Sequence, residues 1–354
     1  MIDGRLNGTR PSPRSRGRAP FGALRCALLS FVLLALAGCA DNDGPLQLKF
    51  GHVGAPGSLF ALSAEHFASI ANDRLGERAE VVVFGSSQLG GDELLLQKLK
   101  LGTVDLALPS SIMSSFVAEF GLFDMPYLVA DRDHMKRIEE RIVWPDLAPL
   151  AEASGFHIIG VWENGFRHVT NNARPIVVPE DLRGIKLRTP RGVWRVRMFQ
   201  TLGANPTPMP LSEVFVALQT GVMDGQENPL AQIHASRFQE VQLHLSLTGH
   251  VYTPAYVTAG TERWSRLPQD IRETLEQAAR ETQSFVYETA ARLDAELVVE
   301  IEGAGTAVNE IDRRRFVEAS RPVYDQFGAE VPGGRELTER AAALAAGAES
   351  GPGR

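Results

Sequence analysis

The sequence predicts an open α/β fold divided into two lobes. Three observations predict it: a chain of 354 residues, a strand–helix alternation that begins near Leu46 and restarts after His157, and a carboxyl-terminal third that is helical. The length exceeds one ordinary domain and falls short of three, so two lobes are the natural division. Hydrophobic residues make up 44% and charged residues 22%, as in a globular protein with a full core.

The elements follow in order. Leu46 to Val53 alternates apolar and polar residues as a strand does, and Leu59 to Asn72 reads as a helix. Val81 to Phe84 is a short apolar strand ending at Gly85, with Phe84 read as core. Asp92 to Leu101 reads as a helix closed by Gly102, and Asp105 to Pro109 as the next strand. Such a βαβαβ rhythm builds a mostly parallel sheet. Parallel sheets bind ligands beyond the carboxyl ends of their strands. The loops there, Gly54–Ser58, Gly85–Gln88 and Pro109–Ser111, are rich in small polar residues, as a polar cleft wall would be.

A second unit repeats the pattern. His157 to Glu163 and Ile185 to Arg188 read as strands, and Ser212 as the cap of a helix from Glu213 to Thr220 closed by Gly221. His250 to Ala259 is rich in Val, Thr and Tyr and reads as a strand. From Ile271 to Ile301 apolar residues recur mostly at spacings of three and four. One helix of that length reaches about 46 Å, enough to run along both lobes. Two shorter helices broken near Ala290 are the alternative. The Ala-, Gly- and Glu-rich end of the chain is expected to fray, so 336–354 is taken as a flexible tail.

Charge is uneven. The first 39 residues hold six Arg and one Asp, which leaves about −12 of the chain's net −7 on the rest. An acidic body argues against a nucleic-acid partner, which is held largely by Lys and Arg. The two Cys, Cys26 and Cys39, both lie in that basic leader, so the body carries neither a disulfide framework nor a thiolate metal site. Ala27 to Gly38 is a 12-residue apolar run behind Arg25, the pattern of a signal-peptide core and short for a membrane span. It ends Leu36-Ala37-Gly38-Cys39, which resembles a lipobox. Residues 1–38 are therefore read as a lipoprotein-type signal peptide, Cys39 as the lipidation site and 39–45 as a lipidated linker, giving a periplasmic protein anchored to a membrane by lipid.

The most informative stretch is Gly184-Ile185-Lys186-Leu187-Arg188-Thr189-Pro190, then Pro208-Met209-Pro210-Leu211-Ser212-Glu213-Val214-Phe215, and then Asp224-Gly225-Gln226-Glu227-Asn228-Pro229. Upstream stand Gly51-His52-Val53-Gly54, Gln88-Leu89-Gly90-Gly91, Phe123-Asp124-Met125-Pro126-Tyr127 and Trp162-Glu163-Asn164-Gly165-Phe166-Arg167. Together these resemble the solute receptors of tripartite ATP-independent periplasmic (TRAP) transporters, the DctP family, over about residues 46–330.

The resemblance implies a two-lobed periplasmic-binding-protein fold, class II-like, with crossing strands and a long lobe-spanning helix. Lobe I is assigned to 46–163 and 254–292, and lobe II to 164–253 and 293–335. It implies a small organic acid as ligand, delivered to a small and a large TRAP membrane subunit; a co-receptor presenting its ligand to a membrane sensor is the alternative. Family arginines that meet the ligand map to Arg188 and Arg167, and a family asparagine to Asn228. Sialic-acid receptors carry an aromatic residue where this chain has Leu211, so a different acid is favoured.

The residue chemistry agrees with that expectation. A guanidinium is a rigid fork matched to the two oxygens of a carboxylate. Ser110 and Ser111 follow a strand end and are read as cleft wall. Asn228 is also a common turn former, and both readings stand. Glu227 is read as a structural partner for an arginine, and His168 as lying off the cleft. No HExxH pair, GxSxG elbow, Walker loop or GxGxxG spacing occurs. No metal, no cofactor and no enzymatic activity are therefore expected.

Overall fold

The computed structural model describes residues 44–346. The signal peptide, Cys39 and the end of the tail lie outside the described residues. The body from Pro45 onward is one compact unit.

The first lobe is built as the alternation requires. Strands β1 (Leu46–Gly51), β2 (Ala79–Phe84) and β3 (Leu106–Ala107) lie side by side, with β1 parallel to both neighbours. The crossovers are the helices Leu59–Leu75 and Asp92–Lys100. Ser58 caps the first, its Oγ accepting from the Ala61 N–H at 3.2 Å. Phe50 meets Phe67 of the first helix edge-on at 5.5 Å, while Leu95 of the second helix closes on Gly51 from the other face of β1.

Strand β4 (Phe156–Asn171) runs 16 residues, well past the predicted end at Glu163. In the second lobe β5 (Lys186–Thr189), β6 (Asn205–Pro208) and β7 (Gly225–Pro229) are parallel, β5 lying between the other two. Two short strands, β8 (His244–Ser246) and β10 (Ala307–Asn309), pair with each other, and β9 (Tyr252–Gly260) returns to the first lobe between β3 and β4. The main path of the sheet is thus β2-β1-β3-β9-β4-β7-β5-β6.

The crossing strands explain the two lobes. β4 pairs with β9 over Phe156–Phe166 and then with β7 over Arg167–Asn171. A bulge between Glu163 and Gly165 marks the change. Gly165 has φ +122, a conformation open to glycine, and a Cβ there would sit 3.3 Å from Pro229. The bulge turns the strand so that Arg167 meets the β7 residues Glu227 and Asn228.

Gln269–Gly303 is one uninterrupted helix of 35 residues. At 1.5 Å per residue it spans roughly 50 Å. It packs on the first helix, on β4 and on the helix Leu230–Ala235, and so touches both lobes.

Two local expectations are corrected. The helix after β6 begins at Leu211 with Pro210 as its cap residue, so Ser212 lies in the first turn and caps nothing. The tail expected from residue 336 is helical over Gly334–Ala343. Leu337 and Ala341 are buried, the Ala341 carbonyl bonds the His134 ring at 2.7 Å, and the Leu344 carbonyl accepts from Arg137 at 2.8 Å.

Candidate functional site

The strands of both lobes end at a common crevice. Arg167 and Asn164 come from β4, Arg188 from β5 and Asn228 from β7. Val53, Ser110, Ser111 and Pro190 come from the turns after β1, β3 and β5, and Leu211 from the helix after β6. All six residues expected at the site, Ser110, Ser111, Arg167, Arg188, Leu211 and Asn228, line one inner cavity of about 40 Å3. It shares Asp92, Ile112, Arg188, Pro190 and Leu211 with an outer chamber of about 440 Å3. A chamber of that size is typical of a small-molecule site.

Arg188 is 3% exposed, and no carboxylate among the described residues pairs with it. Its Nε and Nη2 both donate to the Met209 carbonyl, at 2.9 and 2.6 Å. The Nε–Nη2 edge of the guanidinium is thereby held, while Nη1 has no hydrogen-bond partner among the described residues and Arg188 lines both chambers. Burial pulls its pKa down to about 9, against the nearby Glu227 charge.

Arg167 is the opposite case. Its Nε and Nη2 hold the two Glu227 oxygens at 2.5 and 3.0 Å, and Nη2 also donates to the Glu227 carbonyl and to Asn228 Oδ1. Glu227 is completely buried and accepts further bonds from Arg195 Nη1 at 3.0 and 2.9 Å. Burial works against the Glu227 charge, but Arg167 and Arg195 outweigh it and hold the carboxyl well below its usual range. Burial lowers His250 to about 4, so the ring is neutral near pH 7. A neutral ring that donates Nε2–H to Glu227 at 3.0 Å accepts the Thr248 hydroxyl at Nδ1, 2.8 Å away.

Asn228 differs from the simple expectation of an amide reserved for a ligand. Its oxygen steadies Arg167, and one of its two amide hydrogens is taken by Gln226 Oε1. The hydroxyl of Ser110 donates to the Pro254 carbonyl at 2.7 Å and receives the Asn164 amide at 3.2 Å. Ser111 stands by Arg195 at a long 3.5 Å. His168, on the opposite face of β4 from Arg167, accepts the Gly249 N–H and does not line either chamber.

Four residues were not anticipated from the sequence. Asp92, at the first turn of its helix, faces both chambers together with Arg188; burial lifts its pKa to about 6 against the pull of Arg188 and Arg167. Asn164 and Gln232 also line the inner cavity. Arg195, wholly buried, joins Glu227 to Asp124. Asn164, Asp124 and Glu227 lie inside sequence blocks that stand out; Asp92, Arg195 and Gln232 carry no local mark.

The arrangement can hold an anion and orient it. Among the described residues no group of three or more His, Cys, Asp and Glu is placed to hold a metal, and no helix is long and apolar enough to cross a membrane.

Known proteins place this geometry. The chain is 33% identical over 324 residues to a solute-binding protein of Verminephrobacter eiseniae, covering 91% of this chain and 95% of the relative. The sugar acid binding protein DctPAm of Advenella mimigardefordensis, solved in complex with galactonate, is similar with a TM-score of 0.82 and 31% identity, over 86% of this chain and 99% of that one. A TRAP periplasmic solute binding protein of Sulfurospirillum deleyianum, solved with bound succinate, gives 0.81 and 31% over 85% and 99%. Residues 50–330 match the family described as bacterial extracellular solute-binding protein, family 7. With its crossing strands, its lobe-spanning helix and this match over most of its length, the chain belongs to that family, the DctP-type receptors of TRAP transporters.

Proposed function

We propose that this protein captures a small carboxylate in the periplasm and hands it to the small and large membrane subunits of a TRAP transporter, without transforming it. One observation carries the reading: Arg188 is buried at the cavity wall and no carboxylate among the described residues forms an ion pair with it. A buried unpaired charge is costly. An anionic guest at Nη1 supplies the missing ion-pair partner, and Arg167, Asn228, Ser110 and Ser111 complete its contacts, with Leu211 as an apolar wall.

The guest we favour is a hydroxylated acid. Asp92 would repel a second carboxylate near Arg188 but accepts hydroxyl hydrogens, and Asn164 and Gln232 add further polar atoms. The relatives solved with galactonate and with D-erythronate are in keeping with this choice. We further propose the lobe boundaries given above, export by the segment 1–38 and lipid attachment at Cys39.

A thermal-shift screen of dicarboxylates, aldonates, uronates and keto acids tests the reading. A ligand that binds only the native state raises its melting temperature. At least one hydroxylated acid should do so in a saturable way; a flat response to every acid would refute the proposal.

A further inference from the structure

Behind the cavity lies a buried charge relay that reaches the ligand arm Arg167 from the far side. Arg195 is 0% exposed and stands on the helix Val193–Thr201, in lobe II. Its Nη1 bridges both Glu227 oxygens, and its Nη2 donates to Asp124 Oδ1 at 2.7 Å. Asp124 ends the turn Ala118–Asp124, which packs on β9, and falls in lobe I as divided above. The Ser114 hydroxyl donates to the other Asp124 oxygen at 3.1 Å. The two elements are in close contact: a Cβ on Gly121 would sit 2.4 Å from the Trp194 ring.

We infer that Arg195 is a positioning residue, and that its bond to Asp124 is an inter-lobe latch linking closure to the ligand arm Arg167. The inference rests on the acid-receptor reading. The series Asp124–Arg195–Glu227–Arg167 runs without a gap from one lobe to the cavity wall. In the closed form every charge in it is dry, so each depends on its neighbour. Separation of the lobes breaks the Arg195–Asp124 bond and lets water in, which frees Glu227 and loosens its grip on Arg167. By linkage, a guest that fixes Arg167 favours the latched state, and the latch in turn holds the guest. The exposed pair Arg74–Glu281, 2.6 Å apart, lines neither chamber, is wet and makes a natural control.

The test is stopped-flow dissociation of D-galactonate, or of succinate, followed by tryptophan fluorescence. Asp124→Asn, nearly the same shape, should raise koff about tenfold or more with kon within about threefold. Ser114→Ala should act in the same direction, about threefold, and serves if Asp124→Asn folds poorly. Arg74→Gln should stay within about twofold. A koff within about twofold of wild type in both the Asp124 and Ser114 variants overturns the latch. If wild type binds neither acid, the ligand reading is what fails. The latch is then read in ligand-free protein from the distance between spin labels at Leu101→Cys and Val216→Cys, with Cys26 and Cys39 replaced by Ser. Loss of the short-distance population in Asp124→Asn supports it, and an unchanged distribution overturns it.

Discussion

Two buried arginines line the same cavity and are treated in opposite ways. Arg167 is paired within the protein: Glu227 grips its Nε and Nη2 through the side chain and the backbone, and Asn228 adds a third partner. Arg188 receives only the Met209 carbonyl and no carboxylate. The first is built like a structural ion pair with one edge turned to the site. The second has Glu227 and Asp92 nearby but no carboxylate bonded to it, which leaves the cation available to a guest at some cost in folding stability. Burial alone does not separate the two roles; the presence or absence of a bonded carboxylate does.

The comparison can be broken most directly by removing each guanidinium in turn. Arg167→Met leaves Glu227 short of a partner inside the protein and should cost about 3–5 kcal/mol of stability. Arg188→Met removes an unpaired buried charge and should leave the melting temperature of the ligand-free protein unchanged or raise it by about 2 °C. Calorimetric melts of the two variants check this; equal destabilisation would erase the distinction.

pH sharpens it next. Burial disfavours the Arg188 charge, but a guanidinium stays protonated and an anionic guest favours its charged form further. Affinity for a carboxylate should therefore be flat between about pH 7 and 8.5. Titrations across that range would contradict the account if affinity fell by more than about threefold.

The smallest effect is expected at Asp92. Asp92→Asn removes a negative charge and keeps a hydrogen-bonding side chain. It should tighten succinate by about threefold and weaken D-galactonate by a similar factor. Competition binding with the two acids reads the ratio, and a ratio that does not move would remove Asp92 from ligand choice.

Much of this site is legible in the sequence, for a physical reason. Arg188 and Asn228 stand on strands of a parallel unit, and the cleft lies where such strands end, so order along the chain already gives position. Arg167 is legible from its block but not from its strand, because the Glu163–Gly165 bulge interrupts the pattern that would have revealed β4 as one element. Arg195 is hidden: it sits between Arg191 and Arg197, both far more exposed, and its partner Asp124 is 71 residues away. The carboxyl-terminal helix is hidden too, because Ala341 packs tightly with almost no apolar bulk, and the bonds from His134 and Arg137 go to backbone carbonyls that no side chain announces.

The central claim is that Arg188 is the anchor of an anionic guest. Isothermal titration of wild type and Arg188→Met with D-galactonate, beside succinate, tests it most directly. The account predicts saturable binding of at least one acid to wild type and a loss of at least about 100-fold in the variant, as truncating one member of a buried charge pair implies, with the fold intact by circular dichroism. Binding of equal strength to both proteins would contradict it.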